Sequence, residues 1–254
     1  MDGKLLTEKL IAYARAHLHL QEEDVIYMRN VLLSEFGLSE PYDGVADVSD
    51  AVQADVPDAL AQDLKSFALE AGLCKEDFAE RYVADIFGLL TPLPSQINRA
   101  FFKLKKAEGP QAACDYLYDI SVKNGYVQKT AIARNLKWEY QDGKNKLEIT
   151  VNLSKPEKNN KDIAKLLTAP QGKKYPACAL CKENAGFEGT ATHPPRRNIR
   201  TVKMQIGGSR WFMQYSPYAY YDEHCILINE EHVPMKVDAK TPDKLLDFVD
   251  QLPN

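Results

Sequence analysis

Two cysteines three positions apart, Cys178 and Cys181, open the stretch where reactive side chains are densest. CxxC is the spacing at which one tight turn aims two thiolates at a single tetrahedral ion. A redox dithiol uses the same spacing, but it follows a thioredoxin-like strand, and here the lead-in is the turn-forming string Gly-Lys-Lys-Tyr-Pro-Ala. His193, His224 and His232 are candidates for a further ligand. His232 is favoured, because it follows an apolar run from which a loop can fold back on the knuckle. A structural zinc takes four ligands, so two cysteines and one histidine leave one to be supplied. Downstream of the cysteines, His193-Pro194-Pro195-Arg196-Arg197-Asn198, with Arg200, reads as a rigid turn presenting guanidinium groups. Their planar forks match phosphate oxygens two at a time. Gln214 to Tyr221 holds four tyrosines around a Ser-Pro turn, and an aromatic face with a hydroxyl tip stacks on a base or sugar while still hydrogen-bonding. Each feature has a plainer reading: buried cysteines, a solvated basic loop, the packing of an edge strand. Together they suit an enzyme of phosphorylated substrates better than a simple binding module.

The formal net charge of −4 excludes a broad polyanion-binding surface, so phosphate recognition must be local and nucleic acid is not an expected partner. No apolar run reaches the ~18 residues that span a bilayer, and the N-terminus lacks a secretory apolar segment. Five cysteines, an odd and sparse set, argue for a reducing cytoplasm rather than a disulfide framework. Cys74 and Cys114 read as core residues, and Cys225 as inert within an apolar strand. No glycine-rich phosphate loop and no nucleophile–base constellation stands out, so no catalytic residue is assigned within the chain. Asn124, Arg134 and Asn135 lie at a helix-to-strand transition and are further candidates for ligand contact.

The elements that must position these groups fall into two halves, giving an α+β fold with a division near residue 135. Helical periodicity predicts helices over Leu5–Leu18, Glu22–Gly37, Asp58–Gly72 and Lys75–Leu90, with glycines closing them near Gly37, Gly72 and Gly88. Pro41 to Pro57 reads as a polar, acidic connection, and Thr91 to Gln96 interrupts the pattern with two prolines. Helix resumes from Ser95 to about Asn124. Two-residue alternation then predicts a hairpin, Leu136–Gln141 and Lys146–Ser154, about Asp142-Gly143. A short helix is expected over Asp162–Ala169, a second hairpin about Gly207-Gly208, a third strand over His224–Asn229, and a last helix capped by Thr241. The chain stops just after that helix, where a layered α+β domain needs more strands, and is expected to be sparingly soluble or to oligomerise alone.

Several strings, in one order, resemble the second, bacterial class of galactose-1-phosphate uridylyltransferases. They are PLPSQIN (92–98), ITVNLSKPEK (149–158), YPACALCKENAGFEG (175–189), HPPRRNIR (193–200), QYSPYAYYDEHCILIN (214–229), HVPMK (232–236) and LLDFVDQLPN (245–254). The resemblance implies exchange of a uridylyl group between UDP-glucose and galactose 1-phosphate through a uridylyl-histidine intermediate, hence ping-pong kinetics. It implies a helical region over 1–135, followed over 136–254 by a C-terminally truncated antiparallel layer of the histidine-triad-like nucleotidyltransferase type. The family's signature, His-acidic-His-aromatic-Gln-Gly-Gly, does not occur in the chain and is expected beyond residue 254. The nucleophile is therefore expected outside this chain, which alone would be inactive.

By analogy with the related first class, Cys178, Cys181 and His232 are implied as ligands of a structural zinc. Arg197, Asn198 and Arg200 are implied as diphosphate or sugar contacts, and Gln214, Tyr215 and Ser216 as nucleotide contacts. UDP-glucose and galactose 1-phosphate are the implied partners, and a homodimer is admitted for the complete protein. The alternatives are a zinc-stabilised nucleotide-sugar binding module that never catalyses, and a CxxC redox protein.

Overall fold

A computed structural model describes residues 2–155, 175–190, 193–234 and 236–252. The helix expected over 162–169 lies outside the described residues. The fold is α+β. Among the described residues its helices are α1 (Gly3–His17), α2 (Val25–Glu35), α3 (Ser49–Gln53), α4 (Asp58–Glu70), α5 (Ala79–Leu90), α6 (Pro94–Ala107), α7 (Pro110–Lys123), α8 (Lys129–Ile132) and α9 (Thr241–Gln251). The strands are β1 (Leu136–Asp142), β2 (Asn145–Val151), β3 (Val202–Ile206), β4 (Ser209–Tyr215) and β5 (Cys225–Asn229). β1 and β2 form a separate antiparallel hairpin, and β3-β4-β5 an antiparallel sheet in that order.

Three expectations are corrected. The helix over 95–124 is two helices, because Gly109 sits at φ 102 and Pro110, with no N–H to donate, starts α7. The connection Pro41–Pro57 contains α3, whose apolar contribution to the core is Ala51. Thr241 is the first residue of α9 rather than its cap, and its hydroxyl donates to Asp238 (2.9 Å).

Burial divides the apolar side chains into two clusters. One joins α1, α2, α4 and α5 around Leu6, Leu10, Tyr13, Leu64 and Phe87. The other joins α6 and α7 to the sheet, with Ile97, Phe101 and Leu117 against Val202, Met204 and Met213. Asn98 fixes α6 on β3 by donating to the Thr201 carbonyl (2.9 Å) and accepting from the Lys203 N–H (2.9 Å). At the other end of β3, Asp247 of α9 accepts from the Gly207 N–H (2.7 Å). The Tyr13 hydroxyl donates to the Lys123 carbonyl (2.8 Å), joining α1 to the end of α7. These ties hold the loop before β3, which carries the arginines, between the two clusters.

Candidate functional site

The ligand atoms of Cys178, Cys181 and His232 all lie within 4.8 Å of one another, the one such group of three among the described residues. The turn between the cysteines is closed from inside. The Cys178 N–H donates to the Cys181 sulfur (3.2 Å), and the buried Asn184 side chain donates to the carbonyls of Cys178 (2.6 Å) and Cys181 (2.9 Å). His232 arrives from beyond β5. Glu230, at that strand's end, pairs with Arg210 of β4 and with Lys182 of the knuckle (3.7 Å), which pins the two segments together. Burial, then a hydrogen bond with Glu183, pushes the Cys181 thiol up to about 11, so the metal-free side chain is protonated at neutral pH. His193 and His224 are elsewhere: His193 meets Phe187 edge-on, and His224 lies beside Tyr220.

The arginine turn is laced to the knuckle by its backbone. The Arg196 N–H donates to the Phe187 carbonyl (2.8 Å) and the Gly186 N–H to the Arg196 carbonyl (3.1 Å). Arg197 is half-exposed and faces Asp85 of α5 (3.5 Å). Asn198 and Asn124 are buried and exchange amide-to-carbonyl bonds of 2.6 and 3.1 Å. Arg200 is buried, and its five N–H groups donate to the carbonyls of Gly88, Thr91, Pro92, Arg197 and Ile199 at 2.6–2.9 Å. Gln214 donates to the Tyr126 hydroxyl (3.3 Å), the Tyr215 hydroxyl donates to the Cys114 carbonyl (3.1 Å), and the Ser216 N–H donates to the His224 carbonyl (2.8 Å).

A cleft of about 490 Å³ opens where α4 and α5 face this turn. Of the residues implied by sequence only Asn198 lines it, along with Asn124 and Arg134 from the helix-to-strand transition. Reading along the chain missed Lys65 and Tyr126, and it noticed Ser154, Arg196 and Tyr218 only as members of strings. Tyr218 is held because its loop is gripped from three sides: Gln128 donates to the Pro217 carbonyl (3.1 Å), Asn152 to that of Tyr218 (2.8 Å) and Asn135 to that of Ala219 (2.9 Å). Burial raises the phenols of Tyr126, to about 12, and Tyr218, so both are neutral hydrogen-bond donors at physiological pH.

The fold and site define an α+β protein with a thiol–thiol–imidazole knuckle joined through backbone to a turn that feeds a partly cationic cleft. Residues 19–234 match the family model described as galactose-1-phosphate uridyl transferase, N-terminal domain, and the chain belongs to that family. Curated proteins named galactose-1-phosphate uridylyltransferase are similar across nearly all of it. That of Caldanaerobacter subterraneus subsp. tengcongensis is 39% identical over 255 residues, covering 100% of this chain and 48% of the relative. That of Clostridium acetobutylicum is 38% identical over 97% of this chain and 49% of the relative, and that of Staphylococcus saprophyticus 38% over 98% and 50%. The chain thus spans about half the length of the curated relatives it matches. No solved structure was found to match it. No helix among the described residues is long and apolar enough to cross a membrane. The chain does contain a His-x-His pair, His17-Leu18-His19, but Leu18 replaces the acidic residue and no Gln-Gly-Gly follows. Neither histidine lines the cleft: His17 Nε2 lies 2.9 Å from the Val52 carbonyl, and the His19 ring stacks on Tyr116.

Proposed function

We propose that this chain is the N-terminal, substrate-positioning part of a cytoplasmic UDP-glucose–hexose-1-phosphate uridylyltransferase of galactose metabolism. The observation that carries the reading is the family match over 19–234, with relatives of that name similar across nearly the whole chain. In the proposed reaction a histidine nitrogen, supplied from outside these 254 residues, attacks the α-phosphorus of UDP-glucose. The P–O bond to glucose 1-phosphate breaks, and a P–N bond to the uridylyl group forms. A phosphate oxygen of galactose 1-phosphate then attacks the same phosphorus, the P–N bond breaks, and UDP-galactose leaves. This chain binds and orients. Arg197, Asn198 and Ser216 are proposed as contacts in their own right. Arg200, Gln214 and Tyr215 are proposed to act through what they hold: Arg200 the arginine turn, Gln214 the Tyr126 hydroxyl, Tyr215 the α7 backbone.

Cys178, Cys181 and His232 are proposed to hold a zinc ion. Two sulfurs and an imidazole already converged within 4.8 Å are a fitting donor set. When bound, the ion would be structural, locking the knuckle to the end of β5. Uptake must deprotonate the Cys181 thiol, so zinc affinity should rise with pH and binding should release protons.

The test is an assay of UDP-glucose-dependent turnover of galactose 1-phosphate, with the chain alone and with added polypeptide carrying the histidine signature. No turnover alone and turnover on addition are expected. Robust turnover by the chain alone would place the nucleophile within it and overturn the division of labour. Tight UDP-glucose binding with no turnover in either case would support the non-catalytic module. About one zinc per chain is expected, lost in Cys181→Ser; unchanged zinc in that variant would remove the knuckle as its site.

A further inference from the structure

The knuckle brings three donors together, and a closed zinc site takes four. The other histidines and cysteines do not join the group. His17 reaches the Val52 carbonyl, His19 stacks on Tyr116, His193 meets Phe187 and His224 lies beside Tyr220. Cys74 follows α4, Cys114 sits in α7 and Cys225 begins β5. Two of the nearby carboxylates are spent: Glu188 pairs with Arg81 of α5 (2.5 Å), and Glu230 with Arg210 and Lys182. Glu183 differs. It lies two residues after Cys181, in the single turn Lys182–Asn184, and its Oε2 is buried with no hydrogen-bond partner. Around its carboxylate are the Cys181 thiol, with which it hydrogen-bonds, and the His232 ring. A buried carboxylate oxygen without a donor is costly unless a cation completes it. Asn184 Oδ1 is buried and unpartnered too, but the Asn184 amide nitrogen is committed to the Cys178 and Cys181 carbonyls. A neutral amide oxygen is also not among the usual donors to zinc.

We propose that Glu183 is the fourth ligand of the knuckle, so that Cys178, Cys181, Glu183 and His232 close the zinc site with residues of this chain alone. The inference rests on the zinc reading above and deepens it by completing the ligand set. The carboxylate is not yet one of the group converged within 4.8 Å. Uptake of the ion removes the Cys181 proton, and with it the hydrogen bond that holds the carboxylate to the thiol. The freed side chain then turns onto the metal, while the backbone that carries it stays fixed by the Asn184 bonds. Sequence spacing gives no hint of this, because Cys-x-x-Cys-x-Glu reads as a cysteine pair followed by an ordinary surface acid.

The test is metal binding by the 254-residue chain, read by zinc competition against a chelator and by the visible spectrum of the Co²⁺-substituted protein. Glu183→Gln, Glu183→His and, as a control, the exposed Glu231→Gln are compared with the parent and with Cys181→Ser. Glu183→Gln should bind zinc at least tenfold more weakly, and Glu231→Gln like the parent. Loss of a carboxylate that only supported Cys181 would weaken binding too, so the cobalt spectrum decides. A closed four-ligand site has no position for an added anion, so azide should leave the parent spectrum unchanged and shift that of Glu183→Gln. Glu183→His should regain affinity to within about threefold of the parent and stay insensitive to azide, since imidazole is an equivalent donor. A parent spectrum that responds to azide, or a Glu183→Gln spectrum that does not, would overturn the assignment. So would a tenfold gain in the parent's zinc affinity on adding polypeptide with the histidine signature, because the fourth ligand would then come from outside. If the Glu183 variants bind zinc like the parent while Cys181→Ser loses it, the ligand assignment fails and the zinc site stands. If the parent itself takes up no zinc, the site fails and the assignment with it.

Discussion

Arg200 shows how an arginine in a phosphate-suited string can be wholly committed to the fold. A guanidinium has five N–H donors, and here each finds a backbone carbonyl, three of them at the end of α5 and just after it. Burial lowers its pKa to about 10, still high enough to keep the charge at neutral pH. Charge-assisted bonds of this kind, removed from a buried site, leave carbonyls without partners. Arg200→Met should therefore destabilise the chain by ~3 kcal/mol or more. Arg200→Lys should recover only a minor part, since an ammonium has three donors in a different geometry. Urea unfolding of the three proteins checks this, and a lysine variant as stable as the parent would show that charge alone matters. The contrast with Arg196, four residues earlier, was not legible in the sequence. Both arginines stand in one string, and only the arrival of α5 and Tyr126 from more than 60 residues away assigns one to backbone and the other to the cleft.

At the scale of the element, Gly88 carries the same lesson. In sequence it reads as a glycine near the close of a helix that ends at Leu90, as α5 does, but what the position requires is the absence of a side chain. A Cβ there would lie 2.7 Å from the Arg197 carbonyl carbon and oxygen. Alanine ordinarily gains ~1 kcal/mol over glycine inside a helix. Overpacking costs ~1–3 kcal/mol, and here the obstacle is backbone rather than a flexible side-chain tip. Gly88→Ala should thus lower stability by displacing the arginine turn. Thermal melts measure this, and a stabilised variant would refute the close contact. The elements set by local rules were legible: the hairpins about Gly143 and Gly207-Gly208, the break at the Thr91–Gln96 prolines, and the CxxC turn with His232. The cleft was not, because its walls come from six separate segments and no periodicity encodes their meeting.

At the scale of the whole molecule, the β1–β2 hairpin sorts its side chains by face. Its register sets Leu136 opposite Val151, Trp138 opposite Ile149 and Tyr140 opposite Leu147, so one face is apolar up to the polar pair Asp142 and Asn145 at the turn. The other carries Lys137 and Glu139 against Glu148 and Lys146, with diagonal ion pairs at 3.1 and 3.2 Å. Slipping the register by one residue would exchange the faces and separate those pairs, so the amphipathic sorting is specified rather than incidental. Five of the six apolar residues are more than a third exposed, Trp138 at 46% among them. A contiguous exposed apolar face of this kind drives association. The 254-residue chain should therefore self-associate at micromolar concentration, and Trp138→Lys should shift it toward monomer. Because the indole is 46% exposed among the described residues, stability should change by only ~0.5 kcal/mol. Sedimentation velocity across a concentration series reads the first effect and urea unfolding the second. A parent chain that stays monomeric throughout would mean the apolar face does not self-associate, whereas a variant that unfolds early would mean Trp138 packs inward.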